Sequence, residues 1–524
     1  MELKTFLHNL QYHTHKVSPS NWSVDWQDAP YPYKLYRDLP YFSLPLELPL
    51  SIEIDDTDKQ LNKNTMGHFL WYVYGLTQMS QSLSAIETKD ELIQSLRRFA
   101  PSGGALYPSE LYVYLKLNDL PHGVYHYDVA HHQLLQLREG NFDDYVNQAL
   151  GNRCDLSSCF ALIFVSTVFW KNFFKYNNFS YRLQGMDAGV VIGQLLEVAK
   201  RFGYETSVYF QFLDRSINHL LGLVDQEEST YAVIALSVEQ SNGLSFKSEM
   251  QKLVSAEKLR LEIPAIHTNQ LQRSKDIKEF PMLVNINEAS MMHSTQDFKL
   301  FNFPNPNKKS LDGNEVTLPP VKRHSYDLAS VCRKRFSPEM DFKMEKPTQI
   351  EVASILHEAS QAFSYRNDLD GDVLNQNHRV SIYGCFTHIE NIADGAYQYD
   401  NKSHSLRLIQ EGDFRLSLQD ALTLDNVNLY QVPLCFHVVG EKNYYHDVLG
   451  YRGYRIQQME AGMLVQRLLL AATAIGMGGH PLLGFDVNAC DELYQLGSLS
   501  KTTLIQIPTG CYRSRPWLKG ALHG

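Results

Sequence analysis

The positions of apolar and polar residues predict the same series of strands and helices twice along the chain. In the first series, the segment from Thr65 to Thr77 is helix-like, and LYVYLKL from Leu111 is rich in the aromatic and β-branched residues of strands. GVYHYD from Gly123, with the LLQLREG that follows it, predicts a hairpin. The apolar run from Phe160 to Phe169 predicts a buried strand.

A long helix follows these strands in each series. Its apolar residues recur at steps of four, three and four, the spacing that places them on one face of a helix. They are Val191, Leu195, Val198 and Phe202 in the first series and Leu464, Leu468, Ala471 and Ile475 in the second. We expect each of these faces to point towards a hydrophobic core.

The two series are copies of one sequence. GVYHYD begins at Gly123 and GAYQYD at Gly395, an offset of 395 − 123 = 272. Farther on, the Tyr-Arg pair at Tyr181 matches the pair at Tyr454, an offset of 454 − 181 = 273. The register is therefore kept over a whole domain length.

The repeat divides the chain into two domains, which fits 524 residues because that length is too great for a single core. We predict a first copy at 1–236, a second copy at 321–524, and between them, at 237–320, a linker or partly structured connection. A fused pair of homologous domains packs as the two-fold dimer of its ancestor, since such an interface is already self-complementary. We therefore expect a pseudo-dimer within one chain.

Composition narrows the class of protein. A hydrophobic fraction of 44% and a charged fraction of 20% are those of a folded globular protein, and a net charge of -10 gives no basic field for nucleic acid. The N-terminus lacks a signal-type apolar run, and the longest apolar stretch, Met463 to Met477, is interrupted by Gln466 and Arg467. We expect a cytoplasmic protein without a membrane span. The seven cysteines form no CxxC pair, and we expect no metal.

Two segments of the first copy are candidates for chemistry. Pro101-Ser102-Gly103-Gly104, the lid loop, has two adjacent glycines that let the backbone approach a flat or anionic ligand, although a tight turn has the same composition. Lys175 and Tyr176 are plausible acid/base groups, or a surface lysine beside a half-buried tyrosine.

Five motifs of the first copy resemble one family. They are YHTHK from Tyr12, YKLYRDLP from Tyr33, GHFLWYVYGLTQ from Gly67, PSGGALYPSELYVY from Pro101 and the YR-x4-DAG helix start at Tyr181. Together they resemble the SagB-type dehydrogenases, the azoline-oxidising branch of the FMN-dependent nitroreductase superfamily. The resemblance covers most of residues 1–235 and, more weakly, 318–524. It implies an α+β fold of two tandem nitroreductase-like domains, each with a mainly antiparallel sheet flanked by helices.

In that superfamily FMN lies at a dimer interface, and the resemblance divides its site between the two copies. The first copy supplies the lid loop, Pro101, Ser102, Gly103 and Gly104, and the catalytic pair Lys175 and Tyr176. The second copy supplies the cradle, with Lys334 facing the ring, Gly484 packing against it, and Arg513 and Arg515 gripping the phosphate.

Departures from the family pattern predict one FMN per chain. Ser330 and Cys332 replace an arginine and a serine of the motif that contains Lys334; these two departures do not bear on the number of flavins and instead keep a non-catalytic scaffold open. Gln211 stands where the first copy would need the counterpart of Gly484, so a side chain would obstruct a second flavin ring. In the alignment of the two copies, His446-Asp447 stands at the place of Lys175-Tyr176. It is either a second acid/base pair or polar surface.

The resemblance implies oxidation of thiazoline or oxazoline rings in a modified peptide to azoles. The partners would be a peptide or small-molecule substrate and other peptide-modifying enzymes. A fold does not fix a substrate, and two alternatives stay open. One is an NAD(P)H-dependent nitro or quinone reductase, and the other is a non-catalytic scaffold of a peptide-modifying complex.

Overall fold

A computed structural model describes residues 1–52, 61–86, 89–238, 253–301, 314–322, 326–361, 364–370, 379–514 and 518–521. The helices are α1 (Leu3–Tyr12), α2 (Lys63–Tyr74), α3 (Asp143–Ala149), α4 (Phe169–Tyr176), α5 (Ser180–Phe202), α6 (Asp214–Leu221), α7 (Ala256–Arg260), α8 (Pro281–Ala289), α9 (Leu328–Lys334), α10 (Gln349–Ser360), α11 (Arg415–Asp420), α12 (His446–Leu449), α13 (Arg452–Ala474) and α14 (Val487–Leu493).

The strands of the first copy and the connection are β1 (Tyr36–Arg37), β2 (Tyr41–Ser43), β3 (Gln78–Ile86), β4 (Lys89–Arg97), β5 (Ser109–Leu115), β6 (Gly123–Asp128), β7 (Gln133–Glu139), β8 (Cys159–Val168), β9 (Glu205–Tyr209), β10 (Glu228–Ser237), β11 (Asn269–Gln270) and β12 (Glu315–Thr317). Those of the second copy are β13 (Arg366–Asn367), β14 (Val380–Phe386), β15 (Gly395–Asp400), β16 (Ser405–Glu411), β17 (Leu434–Glu441), β18 (Gly478–Gly479), β19 (Lys501–Gly510) and β20 (Leu518–Ala521).

The elements predicted from the apolar pattern are present. The strand expected at Leu111 is β5, the hairpin is β6 with β7, the apolar run is β8, and the two long helices are α5 and α13. Both helices are buried around most of their circumference, not along one stripe only. They lie at the centre of the molecule, where each has neighbours on every side.

Each copy is built on one large sheet. The first has the order β13-β9-β10-β8-β5-β6-β7-β2, and the second has the order β12-β16-β15-β14-β17-β19-β18. Neighbouring strands are antiparallel except for β13 and β9. With helices packed against both sheets, the α+β architecture of two similar domains is confirmed.

The two long helices cross at glycines that allow backbone contact. A Cβ built on Gly189 of α5 would lie 2.0 Å from the carbonyl oxygen of Met459, and one on Gly462 of α13 would lie 2.2 Å from that of Met186. The contacts are reciprocal, because 462 − 189 and 459 − 186 both equal 273. Reciprocal contacts of this kind define an isologous interface, so the copies are related by a pseudo-two-fold axis.

Two strands of the second copy pair with strands of the first, and the connection pairs with both copies. From the second copy, β13 joins the edge of the first sheet, and β20 pairs with β3 of the first copy. In the connection, α7 precedes β11, which pairs with β1 of the first copy, and α8 follows it, whereas β12 pairs with β16 of the second copy. Within the ranges that the structure describes, no helix is both long and apolar enough to span a membrane.

Candidate functional site

The lid loop leads into a segment of strained backbone. Gly104 has a φ of +64°, and two residues with side chains, Ala105 and Tyr107, have φ values of +56° and +49°. Left-handed backbone at such residues costs roughly 1–3 kcal/mol each and concentrates at functional sites. The segment therefore holds a shape that the rest of the structure must stabilise.

A buried carboxylate fixes this segment to α5. Asp187 accepts hydrogen bonds from Ser102 Oγ at 2.7 Å and from the backbone N–H of Gly103 at 3.1 Å. Ser102 Oγ in turn accepts the backbone N–H of Tyr107 at 3.0 Å. The two ends of the strained segment are thereby joined to one helix.

The structure brings the lid loop to Lys175 and Tyr176. A Cβ built on Gly104 would lie 2.5 Å from Tyr176 Oη and 3.0 Å from Lys175 Nζ. The pair closes α4, and Asn177 turns the chain there with a φ of +49°. Both side chains are half-buried while Gly104 is exposed, so the two functional groups border solvent at the loop.

Burial alters the acid/base properties of this cluster. It lowers the pKa of Lys175 below the usual value for lysine, and it raises the pKa of Tyr176 to about 12, an effect that the nearby Asp187 carboxylate reinforces. Burial also raises the pKa of Asp187 to about 7, against the opposing effect of its hydrogen bonds. At neutral pH Tyr176 keeps its proton, whereas Lys175 releases its proton more readily than an exposed lysine does.

The second copy meets the first directly beside the lid loop. Arg335 Nε donates to the carbonyl oxygen of Phe99 at 2.9 Å. The ring of Phe336 lies 5.7 Å from the guanidinium of Arg97 and stacks on Tyr512 at a centroid distance of 5.2 Å. Two consecutive residues of the second copy therefore line the boundary next to the loop.

The first turn of α5 touches both parts of the predicted site. The guanidinium of Arg182 lies 6.0 Å from the ring of Phe485, next to Gly484 in the second copy. On the following residue, Leu183 Cδ2 would be 2.8 Å from a Cβ built on Gly103. The N-terminal end of α5 therefore lies between the lid loop and the Gly484 loop.

The structure locates the predicted cradle residues as follows. Lys334 is the last residue of α9, and its side chain is exposed. The carbonyl oxygen of Gly484 accepts the N–H of Thr423 at 2.9 Å, and a Cβ built on Gly484 meets only Thr423, at ordinary van der Waals distance. Arg513 is exposed, and Arg515 lies outside the described residues.

Arg335 at the boundary and Arg98, whose contacts lie within the first copy, have no carboxylate partner within the described ranges. Arg98 is 1% exposed, its terminal nitrogens donate to backbone carbonyls, and its Nε has no partner. Arg335 donates to Phe99 and Ser337, and burial lowers its pKa, with the nearby Arg97 adding to the effect. A cation such as Arg335, next to the stacked rings of Phe336 and Tyr512, fits a flat anionic group such as FMN.

Protein fills the pseudo-symmetric position in the other half of the interface. The buried Gln211 side chain donates to the carbonyl oxygen of Lys299 in the connection at 2.9 Å. The backbone N–H groups of Phe210 and Gln211 donate to the Asp368 carboxylate at 2.8 and 3.0 Å. The backbone that corresponds to the Gly484 loop is therefore bound by the second copy and the connection.

His446 and Asp447 do not form a close pair. Their nearest atoms, Nδ1 and Oδ1, are 4.0 Å apart, and the Asp447 side chain is 89% exposed. His446 lines a cleft of about 250 Å³ between α1 and the end of β17. The geometry favours the interpretation of Asp447 as polar surface.

Sequence reasoning missed Asp187, Arg98 and Arg335 as candidate site residues. Asp187 was visible in the repeat, because it matches Glu460 in the second copy, and Arg335 adjoins the predicted Lys334. The acidic residue of the lid-loop motif, Glu110, is structural instead: it is fully buried, pairs with Lys171 and lies 2.9 Å from His126 Nε2. No cluster of metal-ligand type occurs among the residues that the structure describes.

The nitroreductase family model matches residues 63–236 and 333–510. The match covers more than half of the chain in two blocks, and the chain belongs to the nitroreductase family, with its domain duplicated.

Three similar proteins extend this result. The trifolitoxin-processing protein TfxB of Rhizobium leguminosarum bv. trifolii is 29% identical over 136 residues, which are 25% of this chain and only 36% of that protein. Putative nitroreductase MJ1384 of Methanocaldococcus jannaschii is 24% identical over 199 residues, 38% of this chain and 97% of that protein. The crystal structure of a putative nitroreductase from Anabaena variabilis superposes with a TM-score of 0.75 at 21% identity, over 98% of this chain and 99% of that one, and so has the same overall fold.

Proposed function

We propose that the protein is an FMN-dependent dehydrogenase that oxidises thiazoline or oxazoline rings in a modified peptide. Membership of the nitroreductase family supports an oxidoreductase. The observation that carries the proposal is the contact of the lid loop with Lys175 and Tyr176 at the boundary with the second copy. The similarity to a trifolitoxin-processing protein supports a peptide substrate and partners that modify peptides.

The flavin would be held by groups from both copies. Arg335, Arg98 and, from the sequence, Lys334, Arg513 and Arg515 would balance its negative charge. The lid loop from Pro101 to Gly104 and the open backbone at Gly484 would border its ring. When bound, FMN supplies an acceptor for the hydride that leaves the ring being oxidised.

The side chains beside the loop would move the proton. Lys175, with its pKa lowered by burial, accepts the proton that leaves the azoline carbon. Tyr176, with a pKa raised to about 12, stays protonated and donates a hydrogen bond to the substrate. Lys175→Ala and Tyr176→Phe should each reduce turnover at least a hundredfold and leave the bound flavin unchanged. Loss of activity that only follows loss of flavin would remove this assignment.

The first experiment is to measure the visible spectrum and the flavin released per chain. We expect about one FMN per chain, because protein fills the second position. Arg335→Ala should weaken FMN binding at least tenfold, while Arg215→Ala, on a surface arginine paired with Glu257 and Glu288, should leave it unchanged. No flavin, even after soaking with FMN, would favour the scaffold, and rapid bleaching by NADPH would favour the reductase.

A further inference from the structure

Asp187 occupies the point where the lid loop, the Lys175-Tyr176 pair and the interface helix meet. Its carboxylate accepts hydrogen bonds from Ser102 and Gly103, and the hydroxyl oxygen of Ser102 in turn accepts one from the backbone N–H of Tyr107. Two residues along α5, Gly189 is in backbone contact with the second copy. The loop is therefore tied to a helix that cannot shift without disturbing the whole interface.

The matching residue in the second copy has a different environment. Glu460, at 187 + 273, pairs with the buried Arg379 and accepts the hydroxyl of Tyr365 at 2.7 Å. Asp187 forms no ion pair within the described part of the chain, and the bonds it accepts come from Ser102 and Gly103. The first copy has kept an uncompensated carboxylate at the position where the second copy has neutralised one.

We propose that Asp187 is the positioning residue of the lid loop: its carboxylate holds Ser102 and Gly103 so that Gly104 stays against Lys175 and Tyr176. The proposal rests on the proposed function for what the loop covers, whereas the tether itself is independent of flavin and substrate. Asp187 acts through the loop and need not touch the reacting atoms.

The tether should respond to pH. The ionisable groups that face Asp187 are Tyr176 and Tyr74, with Lys175 next to Tyr176, and both tyrosines have raised pKa values and stay neutral near pH 7. A carboxylate accepts hydrogen bonds more strongly than a neutral acid does. Burial outweighs this effect, because it raises the pKa of Asp187 in the closed loop to about 7. Since opening of the loop admits water to the carboxylate and lowers this pKa, the loop should be held more firmly at pH 6 than at pH 8.

The test is hydrogen exchange of the loop amides, measured on the full chain by mass spectrometry and corrected for intrinsic exchange rates. In Asp187→Ala, protection of residues 102–107 should fall at least tenfold while α5 stays protected. Asp187→Asn keeps an oxygen acceptor, so it should retain part of the protection and lose its pH dependence. Asp447→Asn, at an exposed carboxylate, is the matched control and should behave as wild type.

Two results would overturn the proposal. One is unchanged loop protection in Asp187→Ala, and the other is a loss spread evenly over the first copy, which would mean a general structural role. Should Asp187→Ala fail to fold, Asp187→Asn carries the test, because a tether through this carboxylate requires that the pH dependence of loop protection disappear in that variant. If the loop loosens as expected but neither the wild type nor any variant binds FMN, the role of Asp187 in holding the loop is supported and the proposed function is wrong.

Discussion

At the residue scale, the candidate site depends on a few backbone positions. The sequence identified Gly103 and Gly104 as places where backbone could approach a ligand. The structure adds that Gly104 is held at a φ of +64° with Tyr176 against it. Sequence reasoning could not find this contact, because the two residues are distant in the chain and meet only after α4 and β5 are packed.

Replacing Gly104 with alanine should disturb the site twice over. The left-handed backbone at this position costs a residue with a side chain about 1 kcal/mol. The new Cβ would also lie only 2.5 Å from Tyr176 Oη, so the tyrosine side chain would have to move. We expect at least a tenfold loss of turnover and a lower melting temperature. The matched control is Gly203→Ala at the C-terminal end of α5, where the backbone is left-handed in the same way, with φ of +66° and ψ of +30°. Equal losses of turnover in the two variants would show that backbone strain alone is responsible.

At the element scale, the pattern predicted both long helices but not their surroundings. The apolar stripe on α5 indicated one buried face, yet polar residues on its other faces are buried too. Gln194, for example, donates to Tyr72 and accepts from Gln466 of α13. A hydrophobic stripe predicts the helix face that packs against the core of its own domain. The face that packs against the second copy also contains polar residues and glycines, so the apolar pattern does not predict it.

The glycine crossing can be tested by adding one methyl group. Gly189→Ala would place its Cβ 2.0 Å from the backbone oxygen of Met459, so the two helices must move apart. Overpacking of this kind typically costs about 1–3 kcal/mol, and a backbone obstacle belongs at the upper end. We expect a lower urea midpoint, with Gly497→Ala, which meets nothing within 4 Å, unchanged. A wild-type midpoint for Gly189→Ala would contradict the close crossing.

At the scale of the whole molecule, the region around the second flavin position, which protein fills, holds the two copies and the connection together. Asp214 of the first copy is fully buried and binds Arg452 at 2.7 Å and Arg455 at 3.0 Å, both from the second copy. It also accepts the N–H of Met292 in the connection at 2.9 Å. One carboxylate thus joins three parts of the chain.

Asp214→Asn should destabilise the whole chain because it removes the carboxylate charge that pairs with two buried arginines. Breaking a buried ion pair from one side costs roughly 3–5 kcal/mol. We expect the free energy of unfolding by urea to fall by that amount. Asp276→Asn removes a carboxylate from an exposed pair with Lys278 and should cost under about 1 kcal/mol. A small effect of Asp214→Asn, similar to that of Asp276→Asn, would show that Asp214 does not hold the copies and the connection together.

The sequence by itself determined the duplication, the order of the strands and helices, and the segments where chemistry should be sought. It could do so because periodicity and repeated motifs are local properties that survive in the unfolded chain. Only the tertiary structure decided that Asp187 holds the lid loop, that Arg335 reaches the boundary while Lys334 is exposed, and that the connection closes the second position. These are contacts between residues far apart in sequence, and their partners are fixed by how the two copies pack.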